Sequence, residues 1–523
     1  MRLTGLATYD ILDCGGLKRY WLPFGQTVPE RCDDGEESMT KLLGMYIHMH
    51  WGYNHPYAAR TWRLDDWRAY LSGITGLGYN LLQIWPMVDS MPLPLTASDK
   101  AHLAKMRQVI DLAHREFGMT VWVVLCANTL GNKEAAKYPF ESRPYFATER
   151  RINPGDADER RELMEARQVF LAPLVRADGF SIIDSDPGGY EGSPPSEFVQ
   201  LLADHRRLFD AMRPGILLNY WMWQGWRDPG RPAVGDPLTP WREVVCGMMA
   251  QDLEPWGLLA CYREHFQVVA ELSLHDRVLY YPYNTIENEP SFPLTNCDLP
   301  RIERAFAASG PTGGDAACYP RGAMGNAQSH GLQLPHTYFF AQLARGRQAI
   351  NLAMFAEELI PGLGADIAEG WNALAGNDGG RIASARARLL AARRATLVAG
   401  RLGGLLFGDP ARFLDDLIAQ LAWKGATVGL AEALASGENL LPAARGLVVT
   451  LEGWAVRHGF QDFYGGPFRD ILHPLLARLA ERLPHGHYLA SALAEYDALG
   501  RHHVPQRHGA FTRLLQGLKA SLA

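Results

Sequence analysis

Residues 178–192 read DGFSIIDSDPGGYEG and place two carboxylates, Asp184 and Asp186, one residue apart at the end of an apolar run. On an extended chain, residues i and i+2 share a face with Cα atoms roughly 6.5–7 Å apart. Ionisation of one such carboxyl disfavours ionisation of the other, so one can hold a proton near neutral pH while its neighbour stays charged. That pairing suits general acid work beside an electrostatic partner. A third carboxyl, Glu287 in NTIENEPS, follows a later apolar run and is a candidate nucleophile or base, whereas Glu289 beside Pro290 reads as a rim residue. The competing reading of residues 184–189 is a polar turn, since Asp and Pro-Gly initiate turns by themselves.

Aromatic, amide and imidazole groups gather at the ends of other apolar runs. They are His48, His50, Trp51 and Tyr53; Trp85; Asn128; Tyr190 and Glu191; Asn219, Trp221 and Trp223; Tyr283; and Asn326 and Gln328 in the segment RGAMGNAQSHG. Any one of these rings could simply fill a core. Together they match a sugar ring, whose C–H face packs on indole or phenol while its hydroxyls need fixed donors and acceptors. His330, Gln333 and Arg321 share the same ambiguity between binding and bracing.

The stretch ADGFSIIDSD resembles the fourth strand of family 18 chitinases, whose DGxD-x-x-DxDxE pattern ends in the catalytic glutamate. More loosely, it is similar to the paired acidic residues of family 20 and family 84 hexosaminidases. The resemblance implies a TIM-barrel glycoside hydrolase with a carboxylate pair that assists the substrate's acetamido group and protonates the leaving oxygen. Asp184 and Asp186 match the DxD, but Gly188 stands where the glutamate should be. The expected acid is therefore Asp186 with Asp184 as its orienting partner, or else Glu191, Glu287 or Glu289. No cofactor is expected.

His48-Met49-His50 also has the HxH spacing of amidohydrolase-like barrels, where both imidazoles reach one metal. Such a site calls for histidines after the fifth and sixth strands and an aspartate after the eighth. The fifth run, ILLNYWMW, has no histidine, the sixth offers only His265, and Asp315 stands near the eighth. Two histidines without a clear third ligand make a weak metal site. A non-catalytic carbohydrate-binding barrel is the remaining alternative.

The elements that must position these groups alternate in type. Strand candidates at 45–53, 81–88, 121–129, 179–184, 216–223, 256–262, 278–284 and within 314–324 are separated by amphipathic helices such as 64–80, 99–118, 158–177 and 198–212. Continuous apolar strands alternating with helices imply a parallel sheet covered by helices. Eight units in this length predict an α/β fold, a (β/α)8 TIM barrel with its site at the carboxyl ends of the strands. The expected organisation is a lead-in over 1–44, a barrel over 45–345 and an all-α C-terminal domain over 346–523. Helices are expected at 383–406, 410–425 and 467–483, with GLVVTL (446–451) the one strand-like run there.

Composition is that of a globular chain, 47% apolar and 21% charged over 523 residues, with a net charge of −6. Neither a basic nucleic-acid footprint nor a polybasic membrane patch is present. Seven cysteines without CxxC rhythm fit a reducing compartment. The expectation is a cytoplasmic protein acting on an oligosaccharide or glycoside, without nucleic-acid or membrane partners and with homo-oligomerisation left open. A secreted chain lacking its signal peptide would read the same way.

Overall fold

The computed structural model describes residues 41–144, 148–186, 188–190, 192–223, 238–287, 297–307, 320–346, 350–459, 471–498 and 509–523. Eight parallel strands close into a barrel: β1 (Leu42–His48), β2 (Leu81–Trp85), β3 (Thr120–Cys126), β4 (Gly179–Ile183), β5 (Leu217–Trp221), β6 (Trp256–Ala260), β7 (Val278–Tyr280) and β8 (Gly322–Ala327). Closure comes from β1, which pairs with β2 on one side and β8 on the other. The (β/α)8 barrel and the helical region after it are as expected.

The helices between strands carry their own start and stop signals. Thr96 caps Ala97–Phe117 in a reciprocal box with Asp99, and Gly118, at φ 61°, ends it in the left-handed region. Asp156 accepts from two main-chain N–H groups at the start of Ala157–Leu171.

β8 runs later than the window at 314–324, of which 314–319 lies outside the described residues. Its sequence, GAMGNA, has little intrinsic strand preference. Close packing accounts for the small residues: a Cβ on Gly325 would stand 2.2 Å from Ile286 Cδ1, and one on Gly44 of β1 would stand 2.8 Å from Met324 Cγ. Asn326 is consequently a strand residue and not part of a connecting loop.

After residue 350 the described elements are helical. GLVVTL is a correction: it lies inside the helix Leu440–His458, whose buried residues 444, 447, 448, 451, 454, 455 and 458 follow a helical period. The run expected at 383–406 splits into the helix Gly379–Ala392 and a short turn at Gly403–Leu406. Phe355, Trp371 and Leu389 of the earlier helices share the apolar core of the barrel. Trp423, Leu447 and Trp454 of the later ones form a second cluster with Trp51, Tyr53 and Tyr57 from the segment after β1.

Two buried arginines tie the barrel's upper loops. Arg167 pairs with Asp89 at 2.6 Å, both fully buried. Asp89 also accepts from Trp85 Nε1 and from the Cys126 main-chain N–H, joining the ends of β2 and β3. Arg60, equally buried, donates to the carbonyls of Met49, His50, Glu141 and Arg143.

Candidate active site at the carboxyl ends of the strands

Inward-facing residues build the bore in layers. Ser181 of β4 donates to Gln83 of β2 at 2.9 Å, a bond that must cross the interior because β3 separates those strands. Asn219 of β5 joins the same layer through Ser181. This places Asn219 in the middle of the bore, not at the rim where the sequence suggested a binding role. Above it, the buried Tyr46 ring of β1 meets Trp221 of β5 at 5.0 Å, Tyr281 at 6.2 Å and Trp85 at 6.4 Å. These rings close the bore and form a floor.

Glu287 stands beyond the end of β7 and is fully buried. Its Oε2 accepts from the side-chain amides of Asn326 and Gln328, the latter at 2.6 Å. His48 Nε2 lies 3.8 Å from the same oxygen. His48 is linked in turn to His50 through their Nδ1 atoms at 3.1 Å, and the tautomers decide which one donates. Gln333 secures the Glu287 carbonyl at 2.5 Å, and His336 bonds the carbonyl of Ile286 at 3.0 Å.

Burial pushes the Glu287 carboxyl up from its ordinary 4.5 to about 8, against the opposing pull of Gln328, Arg301 and Asn326. The raised value favours the protonated form near neutral pH. With both amides donating to Oε2, the proton belongs on Oε1, which has no hydrogen-bond partner among the described residues. The side-chain carbonyl oxygens of Asn326 and Gln328 are likewise buried and unpartnered there.

Asp184 differs in every respect except burial. Its Oδ2 accepts from Tyr220 Oη at 3.0 Å, the Trp223 N–H at 3.1 Å and Trp241 Nε1 at 3.2 Å, while Oδ1 accepts from Ser185 at 2.9 Å. Tyr220 and Phe180 pack against the helix Pro195–Met212 outside the barrel, and Trp241 belongs to the helix Thr239–Ala250. The Asp184 side chain thus continues the outward row of β4, towards the helical layer. Burial raises its carboxyl to about 6 against these four donors.

Asp186 does not share that face. β4 ends at Ile183, and Asp186 has φ +116°, a region non-glycine residues rarely occupy, so the two-residue alternation stops before it. Asp186 is partly exposed, and its carbonyl accepts from Cys126 Sγ at 3.3 Å. The expectation that both aspartates look into the mouth from one strand face is corrected on this point.

The remaining residues divide by location. Trp223 meets Tyr283 at 4.6 Å and Tyr262 at 5.2 Å, an aromatic wall joined to Trp221. Trp85 packs against His50 at 4.1 Å. Trp51 and Tyr53 are stacked and lie against the later helices, with Tyr53 4.2 Å from His458. Asn128 donates to the carbonyls of Ile152 and Gly189, bracing the turn that leads to Tyr190. Glu191, Glu289 and Asp315 lie outside the described residues.

Three residues left open by the sequence lie away from the mouth. His330 bonds Tyr70 Oη on the helix Leu64–Gly76, behind the barrel. Arg321 stands just before β8, at the opposite end from the mouth, over the Trp122 ring and bonded to the Arg277 carbonyl. His265 faces Trp241 and accepts from the Cys261 N–H, in the layer behind the mouth. Among the described residues no three His, Cys, Asp or Glu side chains converge as metal ligands.

Sequence reasoning missed Tyr46, Cys261 and Trp241. Tyr46 was findable, since it precedes His48 and His50 at the same two-residue step. Cys261, held between Trp221 Nε1 and the Met222 carbonyl, carries no such signal.

No protein-family model matches the chain, and no curated protein matches it. Solved structures to which it is similar are glycoside hydrolases. A family 138 enzyme targeting pectin rhamnogalacturonan II shares 7% identity over 87% of this chain and 68% of its own, with a TM-score of 0.47. A chitobiase from Flavobacterium johnsoniae shares 11% over 92% and 78%, with a TM-score of 0.38. An O-GlcNAc hydrolase from Thermobaculum terrenum shares 11% over 91% and 87%, with a TM-score of 0.35.

Proposed function

We propose that this chain is a glycoside hydrolase whose general acid is Glu287, with Asp186 as the second carboxyl. The observation that carries the reading is a fully buried carboxyl, raised by burial to about 8, with one oxygen held by two amides and the other without a hydrogen-bond partner among the described residues. A leaving glycosidic oxygen needs such a donor: a proton on Oε1, on a group whose pKa lies near the working pH. The amide oxygens of Asn326 and Gln328, without partners among the described residues, suit sugar hydroxyl donors, and Trp223, Tyr262 and Tyr283 offer faces for the ring's C–H surface.

In this scheme Glu287 gives its proton to the departing oxygen while Asp186 stabilises or attacks the developing oxocarbenium centre, and an entering water finally adds at the anomeric carbon and returns a proton to Glu287. Between these steps Asn326 and Gln328 stabilise the carboxylate left behind, because both already donate to Oε2. Asp184 acts at one remove, fixing the Trp223 main chain and so the wall that holds the sugar.

Aryl glycosides of graded leaving-group ability test the assignment. Glu287→Gln is expected to lower kcat/KM strongly for alkyl and poor phenol leaving groups and far less for dinitrophenyl glycosides, which need little protonation. Equal losses across the series would remove Glu287 from the acid role. Tight sugar binding without turnover in the parent protein would instead support a binding barrel.

A further inference from the structure

The helix Pro410–Ser436 presents a second face away from the barrel, and on it a mostly buried lysine sends its ammonium out to a groove. Lys424 is only 6% exposed, yet its ammonium makes no hydrogen bond or ion pair among the described residues. A buried lysine ordinarily has a partner or sends its charge to water along its stem. Here Lys424 lines a groove of about 560 Å3.

Two helical rows form the groove. Along one, Lys424, Thr427, Ala431 and Ala435 recur at three- and four-residue steps; along the other, Ile471, Leu475 and Arg478 do the same. The small alanine side chains leave the space between the rows open, an apolar channel with cations near its polar positions. Arg478 is exposed and likewise has no ion pair among the described residues, and Glu432, the carboxylate lining the same groove, is paired with neither cation. Thr427 Oγ1 donates to the Trp423 carbonyl, so its lone pairs remain available as acceptors only.

The geometry points to a binding site for an amphipathic organic anion, a carboxylate on an apolar body, with Lys424 and Arg478 taking the carboxylate and the alanine-lined channel taking the body. The groove's size falls in the range of small-molecule sites, roughly 300–1,000 Å3. Burial also lowers the Lys424 ammonium from its ordinary value, and an arriving anion would raise it again. The site is independent of the chemistry at the barrel mouth.

Calorimetric titration of the full chain with octanoate, and separately with inorganic phosphate, tests this. Octanoate is expected to bind, to bind at least tenfold more weakly to Lys424→Met, which keeps the stem, and to weaken several-fold with the exposed Arg478→Gln. Phosphate is expected to bind more weakly than octanoate. Absence of octanoate binding, or binding unchanged in both variants, would overturn the proposal; phosphate binding more tightly would overturn the apolar part of it. In protein reductively methylated with 13C, octanoate should raise the pH midpoint of the Lys424 signal, and a fixed midpoint counts against the site.

Discussion

Gln328 and Asn326, two residues apart at the end of β8, donate their side-chain amides to the same oxygen of Glu287. That shared acceptor fixes which oxygen carries the acid proton. It also means that each amide stabilises the ionised form of the carboxyl. Gln328→Leu removes one donor, so the Glu287 carboxyl should rise above about 8. The alkaline limb of the kcat/KM profile is expected to move to higher pH, with little change in the acid limb. An unmoved alkaline limb would show that another group sets it.

The raised carboxyl also links folding to pH. In the folded chain Glu287 binds its proton up to about 8, whereas an unfolded glutamate releases it near 4.5. The native state therefore holds more protons between these values, and stability from this group is full below 4.5 and lost as pH climbs through 8. Asp184, raised to about 6 from 3.8, adds a contribution of the same sign at lower pH. Thermal melts of Glu287→Gln against wild type should show the wild type losing stability more steeply from pH 5 to 8. Parallel curves would refute the raised value.

Asp184→Leu separates a positioning role from a catalytic one. The aliphatic side chain offers no acceptor, so Tyr220, the Trp223 N–H and Trp241 are left unpaired in a buried site. Each such group costs about 1–3 kcal/mol. A lower melting temperature and a raised KM are expected, with the pH profile of kcat/KM retained. Loss of the alkaline limb would place Asp184 in the proton transfer itself.

Arg167→Met strips the partner from Asp89 and leaves a buried carboxylate opposite an apolar side chain. Removing one member of a buried pair costs about 3–5 kcal/mol. Denaturant unfolding should report a loss of that size. Asp89→Asn together with Arg167→Met is expected to recover part of it, because the orphaned charge is gone.

The barrel was legible because its strands announce themselves. VWVVLC and GFSII are rich in apolar and β-branched residues and bounded by turn residues, and they form β3 and β4 with ends no more than three residues from expectation. β8 was obscured because glycines needed for close approach erase the propensity that marks a strand. The site was partly legible: residue types at strand ends indicated where to look, and Glu287, Asn326 and Gln328 were among the candidates. Their convergence was hidden, since it joins the segments after β7 and β8 across some forty positions of chain. Asp184 follows the alternation, in the outward row of Phe180, so the face was misassigned there; the two-residue period fails only at Asp186, beyond the end of β4 at Ile183.

The Tyr46 ring, wedged among Trp85, Trp221 and Tyr281, makes the upper barrel a blind cup. Under the proposed reading, a substrate entering from the strand ends meets this floor and its products leave the way it came. A departing alcohol and an incoming water would then share one doorway, and turnover on bulky aglycones would be governed by traffic through it as much as by bond breaking.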